Sequence, residues 1–305
     1  MNTPSFLTIC MNPTLQKTLR FSGLAIDAVN RTALHRLDAS GKGVNVSRVL
    51  TQLGKSCVHL TQLGGAFRGM FLDFCAQDGL AVAWVESGSL IRFCYTLIND
   101  ADHSVTELVE EAEPVAPETE ESLKKAYLRL LPECTWVIVS GSKAAGFSDN
   151  LVPFMVKCAK ETGKQVILDL RGRDLENSLA YKPDILKPNL LEFAGTFAPE
   201  LLKGPGIPAD CKDRIKTICL DLADRYGCRI ILTRGNEPVW LAESGTFSEY
   251  AFTPVSPVNT TGSGDAFTAG FAGALSGNAS LAEAVAEGVR CGALNAGLFK
   301  PGVIR

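Results

Sequence analysis

Short apolar and β-branched runs alternate with amphipathic segments along most of the chain. The strand-like runs cover 6–10, 57–63, 81–85, 136–140, 166–170, 184–188 and 228–233. The amphipathic segments with helical period cover 44–53, 70–78, 120–131, 151–162 and 213–226, and two further helices are predicted at 263–275 and 280–299. Apolar strands that are each followed by a helix are typical of a parallel sheet with helices on both faces. The pattern predicts an α/β fold, with a mostly parallel sheet in a three-layer α/β/α core.

Two segments interrupt this alternation, at about 14–38 and 91–111. Each contains alternating strand-like stretches with no helix between them, which predicts a small sheet of antiparallel strands inserted into the core. Because so small a sheet rarely stands alone, we expect it to cover a site or to pair with a second copy of the chain. Without an internal repeat or a low-complexity tract, residues 1–305 are predicted to form a single domain.

Composition narrows the class of protein further. Apolar residues make up 46% of the 305 and charged residues 21%, which is typical of a folded globular protein. The formal charge of −3 and the lack of Lys/Arg blocks argue against nucleic acid and anionic membranes as partners. The ten cysteines are scattered without a C-x-x-C pair, as expected of small buried hydrophobes in a reducing compartment. Neither a leader nor a long apolar stretch is evident, so we expect a cytoplasmic protein.

The strongest local signal for chemistry is Gly262-Ser263-Gly264-Asp265, which opens a predicted helix. A glycine turn at a helix N-terminus presents free backbone N–H groups to an anion, as phosphoryl transfer requires. Asp265 beside such an anion hole is a candidate general base. The alternative is that the glycines only shape a tight turn and that Asp265 only interacts with the helix dipole.

Two more clusters lie at strand-to-helix junctions. Gly41, Lys42 and Asn45 precede a helix and offer close backbone approach, a charge and an amide for sugar hydroxyls. Asn189 and Glu192 follow the strand that ends at Lys-Pro, where a capping box alone would explain them. Ligands collect beyond the carboxyl ends of strands in α/β folds, so the three clusters together favour one site.

The ordered set of motifs resembles the PfkB branch of the ribokinase-like sugar kinases, in the group that contains 1-phosphofructokinase and tagatose-6-phosphate kinase. The motifs are MNPTL (11–15), VNR (29–31), SGKGVNVSRVLTQLG (40–54), LGGAFRG (63–69), SGSKAAGF (140–147), ILDLRG (167–172), KPNLLEF (187–193) and NTTGSGDAFTAGF (259–271). The resemblance implies a ribokinase-like core whose inserted strands form a lid over the sugar.

The resemblance also implies roles for individual residues. Asp265 would deprotonate the acceptor hydroxyl while the amides around Gly262, Ser263 and Gly264 hold the phosphoryl group. The sugar phosphate would be bound by Gln16, Arg31, Gly41, Lys42, Asn45, Arg92 and Ser142. ATP would be bound by Asn189, Glu192, Thr233, Gly235, Cys291 and Asn295. Asn189 and Glu192 would hold Mg²⁺ through water.

The activity that this resemblance implies is ATP-dependent phosphorylation of a ketohexose phosphate to the bisphosphate. Fructose 1-phosphate, tagatose 6-phosphate and fructose 6-phosphate are the candidate acceptors. Three departures from the group's pattern, Gln16 for an aspartate, Lys143 and Pro238, leave two alternatives open. These are a kinase of an unphosphorylated sugar or nucleoside, and a sugar-phosphate-binding regulator without turnover. The inserted sheet makes a homodimer a further expectation.

Overall fold

The computed structural model describes residues 5–202, 207–208 and 211–305. The strands of the large sheet are β1 (Ser5–Cys10), β4 (Ser56–Leu63), β5 (Ala81–Glu86), β8 (Trp136–Ser140), β9 (Gln165–Asp169), β10 (Ile185–Leu186), β11 (Arg229–Arg234), β12 (Glu237–Glu243) and β13 (Thr246–Tyr250). Their order is β13-β12-β11-β10-β9-β8-β1-β4-β5. All neighbouring pairs from β11 to β5 are parallel, and β12 and β13 add an antiparallel hairpin at one edge.

Helices cover both faces of this sheet. They are α1 (Lys42–Gln52), α2 (Arg68–Gln77), α3 (Thr119–Leu130), α4 (Leu151–Glu161), α5 (Arg173–Ser178), α6 (Leu190–Phe197), α7 (Lys212–Tyr226), α8 (Ser263–Leu275) and α9 (Leu281–Ala296). Along β8, Val137 and Val139 belong to the core cluster that includes residues of α3, α4, α6 and α7, whereas Ile138 belongs to the cluster that includes residues of α1, α8 and α9. Because successive strand residues point to opposite faces, one strand serves both cores. The predicted three-layer α/β/α fold is confirmed.

The second sheet has four strands, β2 (Thr14–Phe21), β3 (His35–Ser40), β6 (Arg92–Asn99) and β7 (Ser104–Val109), in the order β3-β2-β6-β7. The pairs β2–β3 and β6–β7 are antiparallel, but the central pair β2–β6 is parallel. The expectation of purely antiparallel pairing was wrong at this pair, because β2 and β6 come from separate insertions and no hairpin joins them. Leu15 and Ala39 pack with Leu63 and Phe71, which fixes this sheet to the core.

The fold positions the site at the carboxyl ends of the parallel strands, beneath the second sheet. The residues that end β9, follow β10 and end β11 all reach this edge, and so does the N-terminus of α8. Seven of the ten cysteines are buried, as expected for small hydrophobes. Within the described residues, no helix combines the length and apolar character needed to cross a bilayer.

Candidate active site

A cavity of about 880 Å³ lies between the carboxyl edge of the large sheet and the second sheet. Thirteen of the seventeen predicted site residues line it: Gln16, Gly41, Lys42, Asn45, Arg92, Asn189, Glu192, Thr233, Gly235, Gly262, Ser263, Gly264 and Asp265. The three junction clusters from the sequence are therefore brought together in one place.

Asp265 stands in the first turn of α8 and is 5% exposed. Its Oδ2 accepts a hydrogen bond from Asn45 Nδ2 at 2.8 Å. Burial and the negative charge of Asp169 raise the pKa of Asp265 to about 6, against the opposing effect of Lys42. A carboxyl group with this pKa is ionised at neutral pH and still accepts a proton readily, as a general base requires.

The turn before Asp265 requires glycine and leaves amides free. Gly262 has φ +83°, and a Cβ atom there would lie 2.6 Å from the backbone nitrogen of Gly302. Among the described residues, the N–H groups of Gly264 and Asp265 have no hydrogen-bond acceptor, because the first turn of a helix leaves its amides unpaired. These donors face the cavity beside the buried carboxylate, in the arrangement expected of an anion hole.

A buried charge network lies next to this anion hole. Asp169, at the end of β9 and 0% exposed, pairs with Lys42 Nζ through Oδ1 and with Lys187 Nζ through Oδ2, both at 3.3 Å. Thr268 Oγ1 donates to the same carboxylate at 3.2 Å. Burial alone would raise the pKa of Asp169, but the two lysines outweigh it and hold the pKa below its ordinary value. Asp169 therefore carries a charge that fixes two cations at the cavity.

Sequence reasoning missed Lys187 and Asp169 as site residues. Lys187 is only 2% exposed, and its Nζ lies 3.7 Å from the point where a Cβ on Gly264 would stand. A lysine at the carboxyl end of a buried strand was the available signal, since buried lysines require a partner. Thus a second cation faces the anion hole in addition to the predicted Lys42.

Asn189 and Glu192 form the capping box of α6 and also line the cavity. Asn189 Oδ1 accepts from the Glu192 amide at 2.8 Å, and Glu192 Oε2 accepts from the Asn189 amide at 3.0 Å. Glu192 Oε1 also pairs with Lys42 Nζ at 2.8 Å. An isolated parallel bridge places Asn189 beside Thr233. Asn189 and Glu192 therefore cap α6 and line the cavity at the same time.

The second sheet closes the cavity through polar contacts. Gln16 Nε2 donates to Thr96 Oγ1 at 2.8 Å, and Thr96 Oγ1 lies 3.5 Å from Thr261 Oγ1 in the turn before α8. Thr261 also donates to Glu107 Oε1 at 3.0 Å. Arg92 donates to the carbonyl of Glu110, while its buried Nε has no acceptor among the described residues. The sheet thus touches the anion-hole turn and presents an arginine with unused donor capacity.

Four predicted residues lie outside this cavity. Cys291 is 0% exposed and packs on Gly270, and the buried amide of Asn295 bonds Thr261, Ser263, Gly302 and Val303. The expectation that these two side chains line the nucleotide pocket is not met. The face of α9 that lines the cavity is instead formed by Val289, Gly292, Ala293 and Ala296, which share the i, i+3, i+4, i+7 spacing.

The other two residues outside the cavity belong to loops. Arg31 is exposed and does not line this cavity. Ser142 is exposed and faces a neighbouring cavity of about 610 Å³, which shares Asn189 and Glu192 with the first. Lys143, one of the three departures from the group's pattern, is paired with Asp149 and Asp174. Its charge is therefore neutralised locally.

A buried carboxylate beside the free amides of a helix N-terminus and two lysines, at the carboxyl edge of an α/β sheet, has the features that phosphoryl transfer requires. Residues 10–302 match the model of the pfkB family carbohydrate kinases, and the chain belongs to this family. It is therefore a phosphotransferase that acts on an alcohol group of a carbohydrate.

Curated relatives and solved structures agree with this membership. Tagatose-6-phosphate kinase of Staphylococcus epidermidis is 27% identical over 271 residues, which cover 88% of this chain and 84% of that protein. 1-Phosphofructokinase of Rhodobacter capsulatus is 29% identical over 279 residues, covering 90% and 85%. Phosphofructokinase-2 from Escherichia coli, solved with substrates and products, superimposes with a TM-score of 0.84 at 22% identity, covering 96% and 92%. Its tetrameric inhibited form also gives 0.84, at 21% identity, covering 96% and 94%.

Proposed function

We propose that this kinase transfers the γ-phosphoryl group of ATP to a free hydroxyl of a ketohexose phosphate, producing a bisphosphate. The observation that carries the proposal is the buried carboxylate of Asp265 beside the amides of Gly264 and Asp265, which have no acceptor in the part of the chain that the structure describes. The acceptor hydroxyl gives its proton to Asp265, its oxygen bonds the γ-phosphorus, and the bond to ADP breaks. The amides and Lys187 stabilise the charge that spreads over the phosphoryl oxygens.

The acceptor is a sugar that already carries phosphate, because cations face its side of the cavity. Lys42 and Arg92 both line the cavity. The buried Nε of Arg92 has no acceptor within residues 5–202, 207–208 and 211–305, and a guanidinium binds phosphate through charge-assisted hydrogen bonds. Relatives named tagatose-6-phosphate kinase and 1-phosphofructokinase support the same class of acceptor. Fructose 1-phosphate, tagatose 6-phosphate and fructose 6-phosphate are the three candidates.

Mg²⁺ accompanies ATP in this proposal and is held through water by Asn189 and Glu192. The carboxylate and amide oxygens fit this hard cation chemically. Both residues already take part in the capping box, and within the described ranges no three His, Cys, Asp or Glu side chains form a direct metal site. Mg²⁺ bound there would keep water molecules as its direct ligands. When bound, Mg²⁺ neutralises charge on the nucleotide phosphates. Thr233 and Gly235 contact the nucleotide from the end of β11 and the turn that follows it.

The experiment that tests the function is ATP consumption over a panel of sugars and sugar phosphates. We expect turnover with at least one of the three ketohexose phosphates. With the unphosphorylated sugars we expect kcat/KM to be at least about 100-fold lower, because the charge-assisted hydrogen bonds from Lys42 and Arg92 to the phosphate are both lost. Preferred turnover of a free sugar or nucleoside would contradict the sugar-phosphate assignment. Binding of a sugar phosphate without any ATP consumption would identify a regulator instead.

Arg92→Ala tests the acceptor site separately from the chemistry. We expect KM for the sugar phosphate to rise about 10- to 100-fold, the value of one charge-assisted hydrogen bond, with KM for ATP little changed. Arg20→Ala is the matched control, because Arg20 lies in the same sheet but pairs with Asp100 and lines no described cavity. Steady-state kinetics with each substrate varied provide the measurement. Equal effects on both KM values would count against a phosphate-binding role.

We further propose that the chain works as a single cytoplasmic domain, with the second sheet as its lid, and that this lid pairs with a second copy. Leu108 on the edge strand β7 is 52% exposed, and Ile26 and Val29 in the loop between β2 and β3 are 91% and 77% exposed. Apolar groups on a sheet edge favour association. Arg31 lies in the same loop and would then be available to the neighbouring copy. A single-chain mass in sedimentation equilibrium would contradict the homodimer.

A further inference from the structure

Arg48 on α1 is buried completely although it carries a permanent charge. Its Nε pairs with Asp78 Oδ2 at 2.7 Å, and its Nη2 donates to the Ala39 carbonyl at 2.5 Å. Its Nη1 donates to Asn45 Oδ1 at 2.9 Å and to the Pro301 carbonyl at 3.3 Å. A buried ion pair is weak evidence for stability, because desolvation offsets the attraction between the charges. The contact with Asn45 links Arg48 to the active site.

The side chain of Asn45 stands between Arg48 and Asp265 and is 3% exposed. Its oxygen faces Arg48, and its nitrogen donates to Asp265 Oδ2 at 2.8 Å. A guanidinium can only donate hydrogen bonds, so it requires the amide oxygen on its own side. If the Asn45 amide were flipped, its NH₂ group would face the N–H donors of Arg48. Its oxygen would then face the carboxylate oxygen of Asp265, and both hydrogen bonds would be lost. The Ser40 hydroxyl also donates to Asn45 Oδ1, at 3.2 Å.

We propose that Arg48 is a positioning residue that fixes the orientation of the Asn45 amide so that its NH₂ group donates to Asp265. This inference rests on the proposed function only in taking Asp265 as the base. The donated hydrogen bond stabilises the ionised carboxylate, which is the form that accepts the substrate proton.

Other ionisable groups around Asp265 belong to separate elements. Asp169 on β9 raises its pKa, whereas Lys42 on α1 and Lys187 after β10 lower it. Cys10 on β1 also faces it, and burial keeps the pKa of that thiol above its ordinary value. None of these four contacts Arg48 through a hydrogen bond or ion pair among the described residues, so replacing Arg48 leaves them in place.

Asp78 and His59, which interact with Arg48, do not titrate near pH 6. Arg48 and Lys300 hold the pKa of Asp78 below its ordinary value although burial opposes them, so Asp78 stays charged. Burial and the charge of Arg48 lower the pKa of His59 to about 3, so His59 stays neutral. A change in the acid limb of the pH profile therefore reports on Asp265.

The test compares Arg48→Met with Arg48→Lys in pH profiles of kcat/KM for the fastest of the three ketohexose phosphates. The wild-type acid limb is expected near pH 6. Because the lost bond favours the charged form, Arg48→Met should raise that midpoint by about one unit, equivalent to about a tenfold loss at low pH. Arg48→Lys is also a pure donor and should keep the wild-type midpoint even where turnover falls. If Arg48→Met does not fold, Arg48→Gln, which accepts either amide orientation, should shift the midpoint in the same direction.

A double-variant cycle and an activity-free readout separate the possible failures. In an Asn45→Ala background, Arg48→Met should add no further shift, because the amide that transmits the effect is gone. Titration of the Asp265 carboxyl by ¹³C NMR, assigned with Asp265→Asn, measures the same shift without substrate. An unchanged midpoint in Arg48→Met, or an equal shift in Arg48→Lys, overturns the positioning role. Absent turnover with the NMR shift present overturns the proposed function alone.

Discussion

Asp265→Asn is expected to lower kcat by about 10²–10⁴, the contribution of a general base, while KM for both substrates changes little. An amide at this position keeps the shape of the carboxylate but cannot take the acceptor proton. The anion-hole amides and the lysines remain in place, so substrate binding persists. Rapid-quench or coupled-assay measurement of kcat above about pH 8, where the wild-type carboxylate is fully ionised, gives the comparison.

The matched control for this substitution is Asp213→Asn. Asp213 is likewise an aspartate in the first turn of a helix, α7, but it is exposed and does not line the cavity. If Asp265 only favoured the helix dipole, both variants would lose a few tenths of a kcal/mol of stability and neither would lose turnover. Turnover of Asp265→Asn within about threefold of wild type would show that another group removes the proton.

The pH dependence of both activity and stability follows from the raised pKa of Asp265. The pKa of Asp265 is raised above that of an ordinary aspartate by burial and by Asp169, so the base is protonated as pH falls through about 6. Activity therefore decreases on the acid side of that value. Because the pKa is raised in the folded state, the neutral form is favoured there, and Asp265 contributes stability at low pH that is lost as pH rises. The residue is thus placed for chemistry at some expense of stability at neutral pH.

The hydrophobic pattern was sufficient to predict the strands that have a clear apolar run. The apolar runs that became β1, β4, β8, β9 and β11 alternate residues between two helix layers, so their burial could be anticipated from the sequence alone. The six-residue helix Arg173–Ser178 was not anticipated, because it is too short to show a repeat of 3.6. The parallel pairing of β2 with β6 was also missed, since pairing between distant insertions depends on tertiary contacts.

Within the site, the sequence was sufficient to identify residues beside glycine turns. It was not sufficient to predict which face of α9 points into the cavity. Cys291 and Asn295 were assigned to the nucleotide pocket, yet α9 turns them toward α8 and the anion-hole turn. The rotation of a helix about its axis is set by what it packs against, here the small residues of α8. Asn295 consequently supports the turn from behind. Lys187 was overlooked because its role depends on Asp169, whose proximity only the sheet register establishes.

Lys187→Met is expected to lower kcat by about 10²–10³, comparable to removing a preorganised charge or donor from an oxyanion site. Lys187 Nζ stands within 4 Å of the Cβ position of Gly264, so its charge faces the group held by the anion hole. Methionine retains the length of the chain but not the cation. Lys125→Met on the exposed side of α3 is the matched control and should leave kcat unchanged.

Loss of Lys187 also removes a partner of Asp169, so folding must be separated from catalysis. Breaking one arm of a buried pair costs about 3–5 kcal/mol when nothing compensates, but Lys42 and Thr268 still contact this carboxylate. The double variant Lys187→Met/Asp169→Asn removes both charges and should recover most of the lost melting temperature. If Lys187 acts on the transferred phosphoryl group, turnover stays low in the double variant. Recovery of kcat together with the melting temperature would show that Lys187 serves only to neutralise Asp169.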